Sequence, residues 1–412
     1  MEAIVALDLD YVRSQFPAFS SPVLSSHAFF ENAGGSYPCV QVVDRLTRFY
    51  RDRKVQPYGP YPGAQAGGAE MDEARERLAA MMGVARQEVS FGPSTSANTY
   101  VLAQAVRTWL AGTGGAVVVT NQDHEANSGV WRRLAEEGIE VREWQIDRGT
   151  GSLDPAGLAA LLADGRVRLV CFPHCSNVIA EINDVASICA MAKAAGARTV
   201  VDGVSYAPHG FPDILVLGCD VYLFSAYKTY GPHQGIMVLR EAFGMELPGQ
   251  GHFFNHGVLY KRHTPAGPDH AQIAACAGIA DYIDALAARH GVTGDAAARN
   301  RGVHDLMRAQ EVAVIQPLLD YLAGRNDLRL LGPRTAAARA PTVAVELDRP
   351  AEPVSEELGR NGIACWAGDF YAVRPLEALG IDLQKGVLRL SAVHYTSGAE
   401  VAGLIQALDR VL

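Results

Sequence analysis

Apolar positions in the middle of the chain alternate between short unbroken runs and helical repeats. Residues 115–120 (GAVVVT), 140–146, 167–173 (VRLVCFP) and 197–202 (ARTVVD) are short and rich in β-branched side chains, which predicts strands. Between them, residues 128–137 and 184–195 repeat apolar positions at the spacing of a helix. Unbroken apolar strands alternating with amphipathic helices imply an α/β fold with a largely parallel sheet covered on both faces. Ligands of such sheets sit beyond the carboxyl ends of the strands, so polar residues directly after these runs are the first candidates for chemistry.

Further along, residues 286–308 read as one long helix leading to a C-terminal part. There, 342–347 (TVAVEL) and 387–390 (VLRL) are predicted strands and 400–412 a closing helix. A chain of 412 residues is long for a single core. The expected organisation is a large α/β domain over residues 25–290. A smaller α/β domain over 291–412 takes in the N-terminal residues 1–24.

Composition narrows the function classes. Hydrophobic residues make up 49% and charged residues 20%, the balance of an ordinary globular chain. The net charge is −9 with no dominant run of Lys or Arg, which argues against a nucleic-acid partner because phosphate binding needs clustered cations. No uninterrupted apolar stretch of about 18 residues is evident, so no membrane span is expected. The N-terminus lacks a basic start followed by an apolar core, as a secretory signal would have. Seven scattered cysteines do not frame a disulfide scaffold. A reducing, cytoplasmic setting is the expectation.

Lys228 lies between aromatic residues in Ser225-Ala-Tyr-Lys-Thr-Tyr-Gly-Pro-His-Gln-Gly235. Burial among aromatics lowers an amine's pKa, the condition for Schiff-base chemistry; the competing reading is a snorkelling lysine at a strand end. Asp202 ends the run TVVD, where a carboxylate serves equally well as a turn cap. His124 follows GAVVVT, and Ser94-Thr95-Ser96 precedes an apolar helix over 100–110. The hydroxyls there suit both an N-cap and a phosphate, because free N–H groups and the helix dipole favour an anion. Arg389 sits within an apolar strand and needs an anion, either an acidic side chain of the chain itself or a ligand. His252 and His256 have a metal-compatible spacing without an acidic third ligand, and no metal is expected.

Taken together, Ser-Ala-Tyr-Lys228, Thr-Val-Val-Asp202, Asp-His124-Glu-Ala-Asn and Ser-Thr95-Ser96 resemble the class V aminotransferase and cysteine desulfurase superfamily of fold-type I, pyridoxal-phosphate-dependent enzymes. The resemblance runs from about residue 29 to the C-terminus. It implies Lys228 as the anchor of pyridoxal 5′-phosphate, Asp202 on the pyridine nitrogen and His124 stacked on the ring. It also implies Thr95, Ser96 and Ser225 on the phosphate, Asn177 near the 3′-hydroxyl, and Ser205 at a position where relatives carry Gln or His. Arg389 would grip the α-carboxylate of an amino-acid substrate, with Gly34 and Gly35 of Asn32-Ala-Gly-Gly on the substrate side. A homodimer is implied as well.

The resemblance breaks at one loop. Desulfurases of the superfamily place a sulfur-accepting cysteine in Arg-x-Gly-x-x-Cys-Ala; here the segment is Trp366-Ala-Gly-Asp-Phe-Tyr371-Ala372. Tyr371 stands at the cysteine position and either acts as an acid or lines the pocket. Cys365 reads as part of a strand and as inert. Tyr227 replaces a histidine common before the lysine, and Pro268 falls where relatives often place a threonine donated across the dimer. The expected activity is cysteine desulfurase-like or C–S lyase chemistry at Cβ without the loop cysteine. Competing readings are a class V aminotransferase or epimerase, and a non-catalytic protein that keeps the fold.

Overall fold

The computed structural model describes residues 6–412. Its centre is a seven-stranded sheet built from β1 (Val89–Gly92), β2 (Ala116–Thr120), β3 (Glu140–Trp144), β4 (Val167–Pro173), β5 (Arg198–Asp202), β6 (Val221–Ser225) and β7 (Gly235–Leu239), in the order β1-β7-β6-β5-β4-β2-β3. All neighbouring strands run parallel except β7, which is antiparallel to both β1 and β6. The period of two explains why the runs are apolar throughout. Ala116, Val118, Val170 and Phe172 enter the core on one face, while Val117, Val119, Leu169 and Cys171 enter a second core on the other.

The predicted strands are therefore found, with ends shifted by one or two residues. The predicted helix over 128–137 starts earlier, at Glu125, with the side chain of His124 as its cap, and tightens into a 3₁₀ turn from Arg133 to Glu137. The long helix expected over 286–308 is two helices. The first, Ala277–Arg289, stops before Gly291 and Gly294, both at positive φ, and α1 (Ala296–Ala323) starts afresh with Asp295 as its N-cap.

The first half of α1 buries Val303 and Met307 in the large core, and the second half buries Ile315, Leu318 and Leu322 in a separate one. That second core is closed by an antiparallel sheet of β8 (Leu328–Leu330), β9 (Thr342–Leu347), β10 (Trp366–Gly368) and β11 (Val387–Ser391), in the order β10-β11-β9-β8, and by the helix Gly398–Val411. The N-terminal segment touches both regions: Phe16 packs edge-on against Tyr230 and Tyr395, and Arg13 pairs with Glu400.

The helical stretch from His270 to Arg289 is long and apolar enough to cross a membrane, although its apolar residues are interrupted by acids. Its best window is 72% buried inside the protein, the pattern of a core helix.

Candidate active site

Four parallel strands deliver polar side chains to one edge of the large sheet. Beyond β2 lies His124, beyond β4 Asn177, at the end of β5 Asp202, and beyond β6 Lys228. A strand can hold a side chain at its carboxyl end rigidly because its own backbone is fully paired. Together with Thr95, Ser96, Ser205 and Ser225, the His124, Asp202 and Lys228 side chains line one cavity of about 270 Å³.

Lys228 ends a 3₁₀ turn, Ala226–Lys228, and is 9% exposed. Burial, and then the charge of Arg389, lowers its pKa to about 8. Asp202 is buried and rises to about 6, because desolvation outweighs the N–H of Val204, which its Oδ1 accepts at 2.8 Å, and the charge of Lys228. It has no ion-pair partner among the described residues. His124 is pushed down to about 3 by burial and by Lys228 and Arg389, so the ring is neutral. Its Nδ1 accepts from the Ala126 N–H at 3.1 Å, which fixes the tautomer with the proton on Nε2.

At the other end of the cavity, the helix Thr95–Thr113 begins with Ser94 as its N-cap. Thr95 Oγ1 and Ser225 Oγ lie 2.7 Å apart, which ties the helix start to the strand that carries Lys228. Gly235 opens the returning strand β7. A Cβ there would stand 2.3 Å from the Ser94 carbonyl carbon, so helix and hairpin touch through main chain.

The remaining predicted residues come from the loop after β4, the N-terminal loop and the smaller sheet with the loop that follows β10. Asn177 Nδ2 donates to the Phe370 carbonyl at 2.9 Å, and its buried Oδ1 has no partner. Gly35 approaches the Tyr227 ring so closely that a Cβ would meet it at 3.3 Å, and a Cβ on Gly34 would collide with Glu31. Tyr371 is 72% exposed, with its ring tilted 5.5 Å from that of His124. Both Phe370 and Tyr371 hold positive φ, kept there by hydrogen bonds from the loop to neighbours: Asp369 Oδ1 accepts from Tyr371 N–H, and the Tyr371 carbonyl accepts from Glu125 N–H.

Arg389 is buried, and here the chain supplies an anion of its own. Its Nη2 donates to Glu31 Oε1 at 2.7 Å, and the Phe370 ring covers the guanidinium at 3.7 Å. Neither Glu31 nor Phe370 stood out in the sequence. Glu31 lies 358 positions from Arg389, and its only signal was an acid directly after Phe29-Phe30. Cys365 also differs from expectation: it lies between the strand Ile363–Ala364 and β10, outside both, and burial pushes its thiol up to about 12. His256 spends its Nε2 on the Gly251 carbonyl, and no metal-like cluster occurs among the described residues.

The cavity therefore offers an amine of lowered pKa, an unpaired buried carboxylate, a neutral imidazole and hydroxyls at a helix N-terminus. An orphaned amide oxygen, Asn177 Oδ1, adds a vacant acceptor. This donor set fits a flat, phosphorylated, ring-nitrogen aldehyde and fits a divalent metal poorly.

The class-V aminotransferase family matches residues 28–264. An aminotransferase-like protein of Gibberella zeae is 30% identical over 99% of both chains. A cysteine desulfurase of Pectobacterium atrosepticum is 30% identical over 98% of both. Among solved structures, the apo cysteine desulfurase of Thermococcus onnurineus covers 99% of this chain and 98% of its own, with a TM-score of 0.82 at 22% identity. That likeness shows the fold, the fold-type I architecture.

Proposed function

Since the chain belongs to the class-V aminotransferase family of pyridoxal-phosphate-dependent enzymes, we propose that it holds pyridoxal 5′-phosphate over Lys228 and acts on an α-amino acid by cysteine desulfurase-like or C–S lyase chemistry at Cβ. The observation that carries this reading is the opposition of Lys228 and Asp202 in one buried cavity, the amine lowered to about 8 and the carboxylate without an ion-pair partner.

In this reading Thr95, Ser96 and Ser225 take the phosphate at the helix N-terminus. His124 would stack on the ring, Asn177 and Ser205 would serve its hydroxyl, and Lys228 would be the covalent anchor. The cofactor, when bound, supplies an electron sink for the bonds at the substrate's Cα. Asp202 would hold a proton on the ring nitrogen, because a buried carboxylate without an ion-pair partner favours a cationic group beside it. Lys228, whose lowered pKa makes the neutral amine accessible, would take the proton from Cα on its free Nζ once the substrate is in place. Arg389 orients the substrate carboxylate, and the Phe370–Tyr371 loop packs over that side and keeps water out.

Sulfur storage on the loop is not part of the proposal, because Tyr371 has no thiol and Cys365 is held as a neutral thiol. The same observation favours a second reading, an aminotransferase or epimerase on a small amino acid. A homodimer completes the proposal. Phe253 and Phe254, 83% and 71% exposed, lie between His252 and Asn255, which line a cavity with Tyr58, and such exposed aromatic side chains support an interface there.

The test is an amino-acid screen of the cofactor-loaded protein with product identification. Release of sulfide or another β-leaving group with Lys228→Ala inactive supports the lyase reading. Keto acid formed only with an amino acceptor, or racemised substrate, replaces it with the second reading.

A further inference from the structure

Glu31 has no part in the machinery described so far, yet it reaches into it. Its segment runs beside β11, with a bridge from Glu31 to Ser391, and this register points the side chain at Arg389. The contact is incomplete on both sides. Arg389 Nε, a buried donor, and Glu31 Oε2, a buried acceptor, have no partner. One face of the guanidinium is closed by Phe370, and Nη1 reaches only the Asn177 carbonyl at 3.5 Å.

An incoming carboxylate therefore meets an arginine whose charge is already shared with a resident carboxylate. The free Nε–H can still donate to one ligand oxygen. Arg389 and Glu31 stand beside the cavity of Lys228 and Asp202 rather than in its lining, close enough for their charges to act on Lys228, and that lining holds no arginine and no lysine besides Lys228 among the described residues. A ligand with a second carboxylate would lay it near Glu31 with no cation left to meet it. A ligand ending in a hydrogen-bond donor would satisfy Oε2, which now lacks one. A buried acceptor left unpaired costs more than a bond gained, so the difference falls on specificity.

We propose that Glu31 is a specificity-determining residue: it admits amino acids whose side chains end in a neutral or cationic hydrogen-bond donor and rejects those ending in a second carboxylate. This rests on the reading of Arg389 as the grip for the α-carboxylate. The cysteine-like substrates of the preceding section, with a neutral thiol, fall in the admitted class.

Calorimetric titration of the cofactor-loaded protein with succinate and succinamate tests it, since the two differ only in a second carboxylate against an amide and neither can react. The wild-type protein is expected to bind succinamate about tenfold more tightly, the worth of one buried hydrogen bond to a charged group. Glu31→Gln is expected to remove that preference by tightening succinate, and Glu31→Asp to keep it, each titrated below its own melting temperature so that only folded protein is read. Equal binding of the two ligands by the wild type, or binding of neither, overturns the proposal without recourse to any variant. So does equal weakening of both ligands in Glu31→Gln, the result for a residue that merely holds Arg389 in position. Arg389→Met separates the underlying reading: if it leaves both affinities unchanged, Arg389 is not the carboxylate grip, and that reading falls by itself.

Discussion

Asn177 and Phe370, 193 positions apart, are joined by a 2.9 Å hydrogen bond from a side-chain amide to a main-chain carbonyl. The bond fastens the edge of the large sheet to the loop that covers Arg389. Asn177→Ala removes it and leaves a half-buried carbonyl without this donor, which costs about 1 kcal/mol locally. The expected outcome is faster amide hydrogen exchange at residues 371 and 372 and cofactor affinity lowered about tenfold. Unchanged exchange at those amides would mean that Asp369 and Glu125 hold the loop without Asn177.

Lys228 should control how fast the apo protein takes up its cofactor, because only the neutral amine attacks an aldehyde. Burial, followed by Arg389, has lowered this ammonium to about 8. The uptake rate is expected to rise with pH, bend near pH 8 and level off above it. Arg389→Met removes a like charge and should move the bend to higher pH. Stopped-flow absorbance across pH 6 to 10 reads both, and a bend that stays in place in the variant contradicts the assignment.

For Asp202 the sign of the pH effect follows from burial. Its folded carboxyl is raised to about 6, above the unfolded value, so its contribution to stability is fully present below about pH 4 and is lost as pH rises through 6. Apo Asp202→Asn lacks this loss. It should be more stable than the wild-type apo protein at pH 7, by on the order of 2 kcal/mol, with the gap closing below about pH 4. The same variant should bind pyridoxal phosphate more weakly. Urea unfolding of apo protein at pH 4 and 7, beside cofactor titration, checks both halves.

Away from the cavity, Glu311 on α1 is buried between His209, at 2.8 Å, and Arg308, at 3.0 Å. Burial opposes its ionisation, but the charge and hydrogen bond of His209, with Arg308, outweigh this and hold the carboxyl below its usual range. A depressed carboxyl stabilises the fold above its unfolded pKa and loses that contribution as pH falls. Glu311→Gln is expected to cost about 3 kcal/mol at pH 7 and progressively less towards pH 3, as measured by urea unfolding. Equal destabilisation at both pH values would mark the effect as steric.

The parts of the fold legible in the sequence are those set by local burial. The run VRLVCFP is apolar on both faces because both faces of β4 are covered, and Asp202 and Lys228 announce themselves as polar residues at the ends of such runs. The break at Gly291 and Gly294 escaped because a helical pattern on either side continues through it. Glu31 escaped for a deeper reason. Its meaning depends on β11 being laid beside residues 30–32, and nothing within ten residues of Glu31 records that neighbour. The same holds for Phe370, whose ring matters only through Arg389.

Gly235 leaves no space between the hairpin that carries Lys228 and the first turn of the helix that opens at Ser94. The separation between amine and hydroxyl cup is thus a fixed gauge, cut in backbone rather than in side chains. Residues around the cavity can be exchanged to suit a different amino acid while that gauge keeps its length. Substrate preference can therefore drift with the side chains of the lining while the spacing set by this main-chain contact stays constant.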